Sequence, residues 1–199
     1  MTAKITSVSG TPERPIEHPF EYGDTFVRET LSDGSVRLKV GVRSGHVGTL
    51  RALAAALEPP YRLLYILHTS PSGSPLGRYE SPDLDGPEVE SFIHRFGSFV
   101  AEDARHDVWV HSESGATVVI DRYNMIYAYG PLDRFQEVLT KSGVLEVAGW
   151  AAPSVPYPHA LHYHPEWNAA ERTLLSDLEW VRKPLRDVDV QHWTGPQAS

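Results

Sequence analysis

The stretch Thr25-Phe26-Val27-Arg28-Glu29-Thr30-Leu31-Ser32-Asp33-Gly34-Ser35-Val36-Arg37-Leu38-Lys39-Val40-Gly41-Val42-Arg43 carries the clearest fold signal in the chain. Val36, Leu38, Val40 and Val42 alternate with Arg37, Lys39, Gly41 and Arg43, the period of a strand with one buried face. Asp33-Gly34 separates this run from the preceding one, and both residues tolerate the positive φ that a tight hairpin turn demands. A two-residue turn there predicts strands over 25–31 and 36–43. It puts Val27, Leu31 and the four apolar residues on one face, with Arg28, Arg37, Lys39 and Arg43 on the other. The cationic face reads first as solvated sheet surface and second as a surface for an anion.

Working outward, Val47, Leu50, Leu53, Ala54 and Leu57 recur at helical spacing after Ser44-Gly45, and Pro59-Pro60 stops them. Tyr61 to Leu67 is an apolar run of strand length, expected to be buried on both faces. The Pro-, Ser- and Gly-rich stretch from His68 to Asp85 reads as a long loop. Asp85 and Glu88 form a capping pair, Pro87 suits the first turn, and Val89, Phe92, Ile93, Phe96 and Val100 line one face of a helix over 87–102. Strands follow at 108–111, 116–120 and 125–129, the last two joined by a turn at 121–124. A helix from Pro131 ends at Gly143, and a strand covers 144–147. Pro153, Pro156, Pro158 and Pro165 make 149–165 irregular, before a last helix over 166–178.

These elements predict an α+β fold with a mostly antiparallel sheet and about four helices packed mainly on one face. The expected domain covers 21–180, between an extended N-terminal arm (1–20) and a polar C-terminal tail (181–199). The order hairpin–helix–strand at 25–67 recurs at 116–147. This suggests a duplicated unit, although the residue identities do not repeat.

Composition narrows the function classes. The 199 residues, 41% apolar and 22% charged, suffice for a sizeable core. There is no cysteine, which excludes disulfides, thiolate metal sites and thiol nucleophiles. Acidic residues outnumber basic ones 26 to 18, for a net charge of −8. Nucleic-acid binding needs clustered Lys and Arg and is disfavoured. No apolar run has the length of a membrane span, and the first residues lack a signal-peptide pattern, so the expected location is the cytoplasm. The patterns GxSxG, GxGxxG, HExxH and the phosphate-binding P-loop are all missing.

The unusual feature is Pro158-His159-Ala160-Leu161-His162-Tyr163-His164-Pro165-Glu166. In an extended segment His162 and His164 share a face, and neutral imidazoles there suit a divalent metal such as zinc. With His159 and Glu166 they make a four-residue candidate metal set, whose bound water would serve a hydrolase. The plainer reading is that these histidines bond the backbone of a proline-rich loop, and a third is proton transfer. His68 closes an apolar strand before the long loop. His111 shares a strand face with Trp109 and Asp107. Tyr127 and Tyr129 share another, so His68, His111, Tyr127 and Tyr129 form a candidate ligand surface, against the plainer reading of cross-strand packing. No residue stands out as catalytic. The expected function is a non-catalytic domain that binds a partner protein or small molecule through this aromatic and histidine-bearing surface. The alternative is a metal-dependent hydrolase using the 159–166 cluster. Oligomeric state has no sequence signature.

Overall fold

The decisive hairpin forms, with strands β1 to β4 running Ile5–Thr11, Arg14–Pro19, Thr25–Thr30 and Val36–Gly41. Its register differs from the expected one. Thr30 pairs with Val36, Arg28 with Leu38 and Phe26 with Val40. Leu31 N–H bonds Ser35 O at 2.8 Å, Gly34 N–H bonds Leu31 O at 3.0 Å, and Gly34 has φ 82°. This is a type I turn closed by a left-handed glycine, one residue longer than a two-residue turn. The extra residue moves the first strand by one position, which exchanges its faces. Phe26, fully buried, joins Leu38 and Val40 on the core face. Val27 moves opposite Lys39, and Arg28 reaches Asp133 Oδ1 at 2.6 Å. The exchange buries Phe26 fully, leaves Val27 and Leu31 half-buried, and takes Glu29 off the core face to a place opposite Arg37, which favours the longer turn.

The computed structural model describes residues 3–190. After β4 come α1 (His46–Ala54), β5 (Tyr61–Leu67), β6 (Gly77–Glu80), α2 (Gly86–Glu102), β7 (His106–Ser112), β8 (Thr117–Ile120), β9 (Ile126–Tyr129) and α3 (Leu132–Lys141). Then follow β10 (Leu145–Glu146), β11 (His159–Leu161), α4 (Asn168–Asp177), β12 (Val181–Lys183) and α5 (Asp187–Val190), with 3-10 turns at Gly149–Ala151 and Pro165–Trp167. The fold is α+β. Nine strands form one sheet in the order β10-β3-β4-β9-β8-β7-β5-β6-β12, antiparallel throughout except for β10 with β3. A second, antiparallel sheet has the order β11-β1-β2.

One face of the large sheet carries the core. Phe26, Leu38, Val40, Leu63, Tyr65, Val108, Val110, Val118, Ile120 and Ile126 pack there with Leu50 and Leu53 of α1, Phe92 and Phe96 of α2, Phe135 and Leu139 of α3 and Leu174 of α4. The capping pair on α2 forms as expected: Asp85 accepts from Glu88 N–H at 2.9 Å and Glu88 from Asp85 N–H at 2.7 Å. Gly97 of α2 lies where an added Cβ would come within 2.7 Å of Val47, so its missing side chain lets α1 and α2 approach.

Both flanking segments carry more structure than their composition suggests. Residues 5–19, expected as an extended arm, form the β1–β2 hairpin, and β11 pairs with it. In the segment expected as a polar tail, β12 pairs with β6, and Asp189 of α5 takes a 2.7 Å bond from buried Arg78. The rest of that tail, 191–199, lies outside the described residues. The long loop of 68–85 contains β6.

Candidate functional site

In a strand, alternate side chains point to opposite faces. The residues between the core positions therefore populate the other face of the large sheet, on which α1, α2, α3 and α4 do not pack. Register aligns them in rows. One row runs Leu64, Trp109, Val119, Tyr127, Lys39, and the next runs Arg62, His111, Thr117, Tyr129, Arg37. Five strands at about 4.8 Å spacing make each row about 19 Å long. Val119 is 4% exposed, shielded from either side by its row neighbours Trp109 and Tyr127. The Trp109 indole N–H is buried and has no acceptor among the described residues.

Three of the four candidate ligand residues lie together on this face. His111 is exposed, with Nδ1 2.8 Å from Thr117 Oγ1. Tyr127 and Tyr129 are half-buried around Arg37, whose guanidinium carbon sits 4.2 Å from the centre of the Tyr127 ring and whose Nη1 donates to Tyr129 Oη at 2.6 Å. Glu29 completes the group, 2.6 Å from Arg37. Burial pushes the Tyr127 hydroxyl well above the usual phenol range, so it stays protonated and neutral. His68 lies at the end of β5 under α5. Its Nδ1 is 3.0 Å from Asp189 O, and its Nε2 is 2.8 Å from Asp107 Oδ2, off the line of a ring N–H hydrogen bond. It braces the C-terminal segment against the sheet.

The histidine cluster does not gather into a metal centre. Only His159 and Leu161 bound a strand there, and the side chains turn to separate partners. His159 Nδ1 is 2.9 Å from Pro156 O. His162 Nε2 is 2.9 Å from Glu17 Oε2 and 3.0 Å from Thr6 Oγ1, both on the β1–β2 hairpin. His164 Nε2 lies 3.3 Å from Ala3 O. The His162 and His164 rings stack at 6.3 Å, and Glu166 is exposed in the following turn. Among the described residues no three His, Asp or Glu side chains come together as a metal site. Proximity in sequence failed as a guide because each imidazole is claimed by a different backbone or carboxylate partner.

A cleft of about 610 Å³ opens where the start of β1 meets α1 and α2, and no motif pointed to it. Lys4 forms part of its lining. The Lys4 ammonium donates to Val100 O at 2.8 Å, Asp121 O at 3.1 Å and Asn124 Oδ1 at 2.9 Å. Burial pulls the Lys4 pKa down to about 8, against the opposing pull of Asp121, Asp107 and Asp103. Asp121 is pushed up to about 7 by burial and by Asp107. His46, at the first position of α1, is pulled down to about 4 by burial and by the charge of Lys4. Phe20, Val47 and Ile93 add apolar wall, and Arg43, Arg51 and His94 are among the residues around the opening. Lys4 and Phe20 come from the segment read as an arm, so nothing local in the sequence marked them.

Behind β11 lies a charge network with no exposure. Arg105 binds Asp103 through both carboxylate oxygens, at 2.7 and 2.8 Å, and Glu171 at 2.7 Å. Glu171 in turn accepts from Ser70 at 2.7 Å and from Ser72. Asp103 also accepts from His164 N–H at 2.7 Å. Every charge has partners, and no bonding capacity points to a cavity, so the network is structural.

No family model, curated protein or solved structure matches the chain.

Proposed function

We propose that the chain is a non-catalytic binding domain whose working surface is the sheet face free of α1–α4, and that its partner is another protein. The observation that supports this reading is the pair of side-chain rows on that face. A continuous strip of Trp109, Val119 and Tyr127 is bordered by Lys39, His111 and Arg62, the mix of aromatic anchor and polar rim found at protein interfaces. A strip about 19 Å long across five strands suits a partner protein better than a small molecule, which prefers an enclosed site.

The experiment places a photo-crosslinking amino acid at Lys39, and in a control at exposed Glu137 on α3. The captured partner is then purified and its affinity measured for the parent and for Lys39→Glu and His111→Ala variants. Crosslinking from position 39 alone, with at least tenfold weaker binding by the variants, supports the reading. Equal capture from both positions, or unchanged affinity, overturns it. The metal-dependent hydrolase alternative loses its support from geometry, since its four residues do not converge.

A further inference from the structure

We propose that the cleft between β1, α1 and α2 is a separate small-ligand site for an amphipathic anion, a carboxylate or phosphate head on an apolar tail. Its volume of about 610 Å³ falls in the range of small-molecule sites. The lining has two characters. Ile5, Phe20, Val47 and Ile93 offer an apolar wall for a tail. Lys4, Arg43 and Arg51 bring positive charge to the lining and Glu21 and Glu102 negative charge, while Glu90 pairs with Arg51 and Asp121, Asp107 and Asp103 act on Lys4 from outside it.

Among these charges Arg43 is the one open to an anion in the cleft. Lys4 is 4% exposed and spends its three N–H groups on three acceptors, so it acts on a ligand through its fixed charge alone. Its field already acts on the cleft, since it is one of the causes that depress the His46 imidazole. Glu21 only loosely offsets Arg43, at 3.9 Å with both side chains two-thirds exposed, so that arginine is free to turn to a ligand. Arg51 is held by Glu90 at 2.8 Å and stays at the rim. There is also room: a Cβ added at Gly45 or Gly48 meets nothing within 4 Å. An apolar tail in contact with Phe20 and Ile93 gains affinity with each methylene it buries, which a bare inorganic anion does not.

The test titrates the full chain with decanoate, octyl phosphate, decanol, decyltrimethylammonium and acetate, followed by amide NMR shifts and by the titration of the His46 ring. The expected result is saturable binding of decanoate and octyl phosphate, at least tenfold tighter than decanol or acetate. Shifts are expected at Ile5, Val47, Gly48 and Ile93, with a His46 pKa raised by the neighbouring anion. Decanoate without octyl phosphate would narrow the head to a carboxylate and still support the site. Gly48→Leu, which fills open space and is favourable in a helix, should abolish binding without loss of stability. Equal binding of decanol, preference for the cationic detergent, no saturable binding, or undiminished binding by Gly48→Leu would each overturn the proposal. The sheet-face reading is unaffected by any of these outcomes, because no residue is shared.

Discussion

Two buried cations show how single residues hold this protein together. Arg105 is wholly buried with Asp103 and Glu171, and burying three charges is tolerable only because each is hydrogen-bonded. Arg105→Met removes the shared partner of two buried carboxylates, and the expected cost is about 3–5 kcal/mol, read from urea unfolding at pH 7. A cost below 1 kcal/mol would mean that water enters the network freely. Lys4 works differently, because its three acceptors are one side-chain and two backbone oxygens. Lys4→Met leaves them unsatisfied, an expected loss of about 1–3 kcal/mol. The same variant removes a positive charge that draws the Asp121 pKa down, so Asp121 should titrate above its parent value in carboxyl NMR. An unmoved Asp121 would show that the two groups do not sense one another. Neither cation was legible as structural in the sequence. Glu171 lies 66 residues from Arg105 and Asn124 lies 120 residues from Lys4, and no local pattern connects them.

Elements were far more legible, because their signals are local. Helix α2 starts at Gly86, within a residue of the expected 87, and ends at the expected 102, with its apolar face buried. Asp85→Ala removes the side-chain half of the capping box and should lower stability by about 1 kcal/mol, whereas Asp85→Asn should cost little. Equal losses for the two would show that the cap is not the cause. The β3–β4 hairpin teaches the opposite lesson. Asp33-Gly34 located the turn correctly, but its length depended on where Phe26 finds its core. Local turn chemistry admits both lengths, and packing chooses. The histidine segment is a second case. Alternation aligned His162 with His164 and their rings do stack, yet His159, His162 and His164 meet the Pro156 carbonyl, Glu17 and the Ala3 carbonyl respectively.

At the scale of the whole molecule, the recurring hairpin–helix–strand order has a geometric counterpart. Hairpin β3–β4 abuts hairpin β8–β9 through β4 and β9. The strand after each helix crosses to the far side of the other hairpin: β10 lies parallel beside β3, while β5 lies parallel to β8 with β7 between them. The exchange welds both halves into one sheet. Stability should depend on pH through groups spread across that fold. The imidazoles of His106, wholly buried, and His46 are held below the ordinary value by burial and by Lys4. Below about pH 6.5 the unfolded chain takes up two protons that the fold refuses, so they make stability fall as pH drops from 6.5 towards 4. Asp121 acts oppositely: the fold accepts its proton below about 7, while the unfolded chain waits until about 4. With two imidazoles against one carboxyl, net loss towards acid is expected in urea unfolding at pH 7 and 5. His46→Gln should shrink the difference between the two. An unchanged difference would mean that His46 does not carry the shifted proton.

The sequence by itself determined the order of elements between 25 and 147 apart from β6, the fold class and the exclusion of thiol chemistry, since hydrophobic period, capping residues and composition are properties of short stretches or simple counts. It also brought His111, Tyr127 and Tyr129 to notice, because alternation within a strand already assigns a face. Only the tertiary structure decided the hairpin register, the divergence of the 159–166 histidines, the ordering of 5–19 and 181–190, and the cleft over Lys4. Each of these depends on segments far apart in the chain. A side chain's partner is set by which distant surface offers the best burial and the missing hydrogen bond, and that competition is resolved only when the whole chain packs.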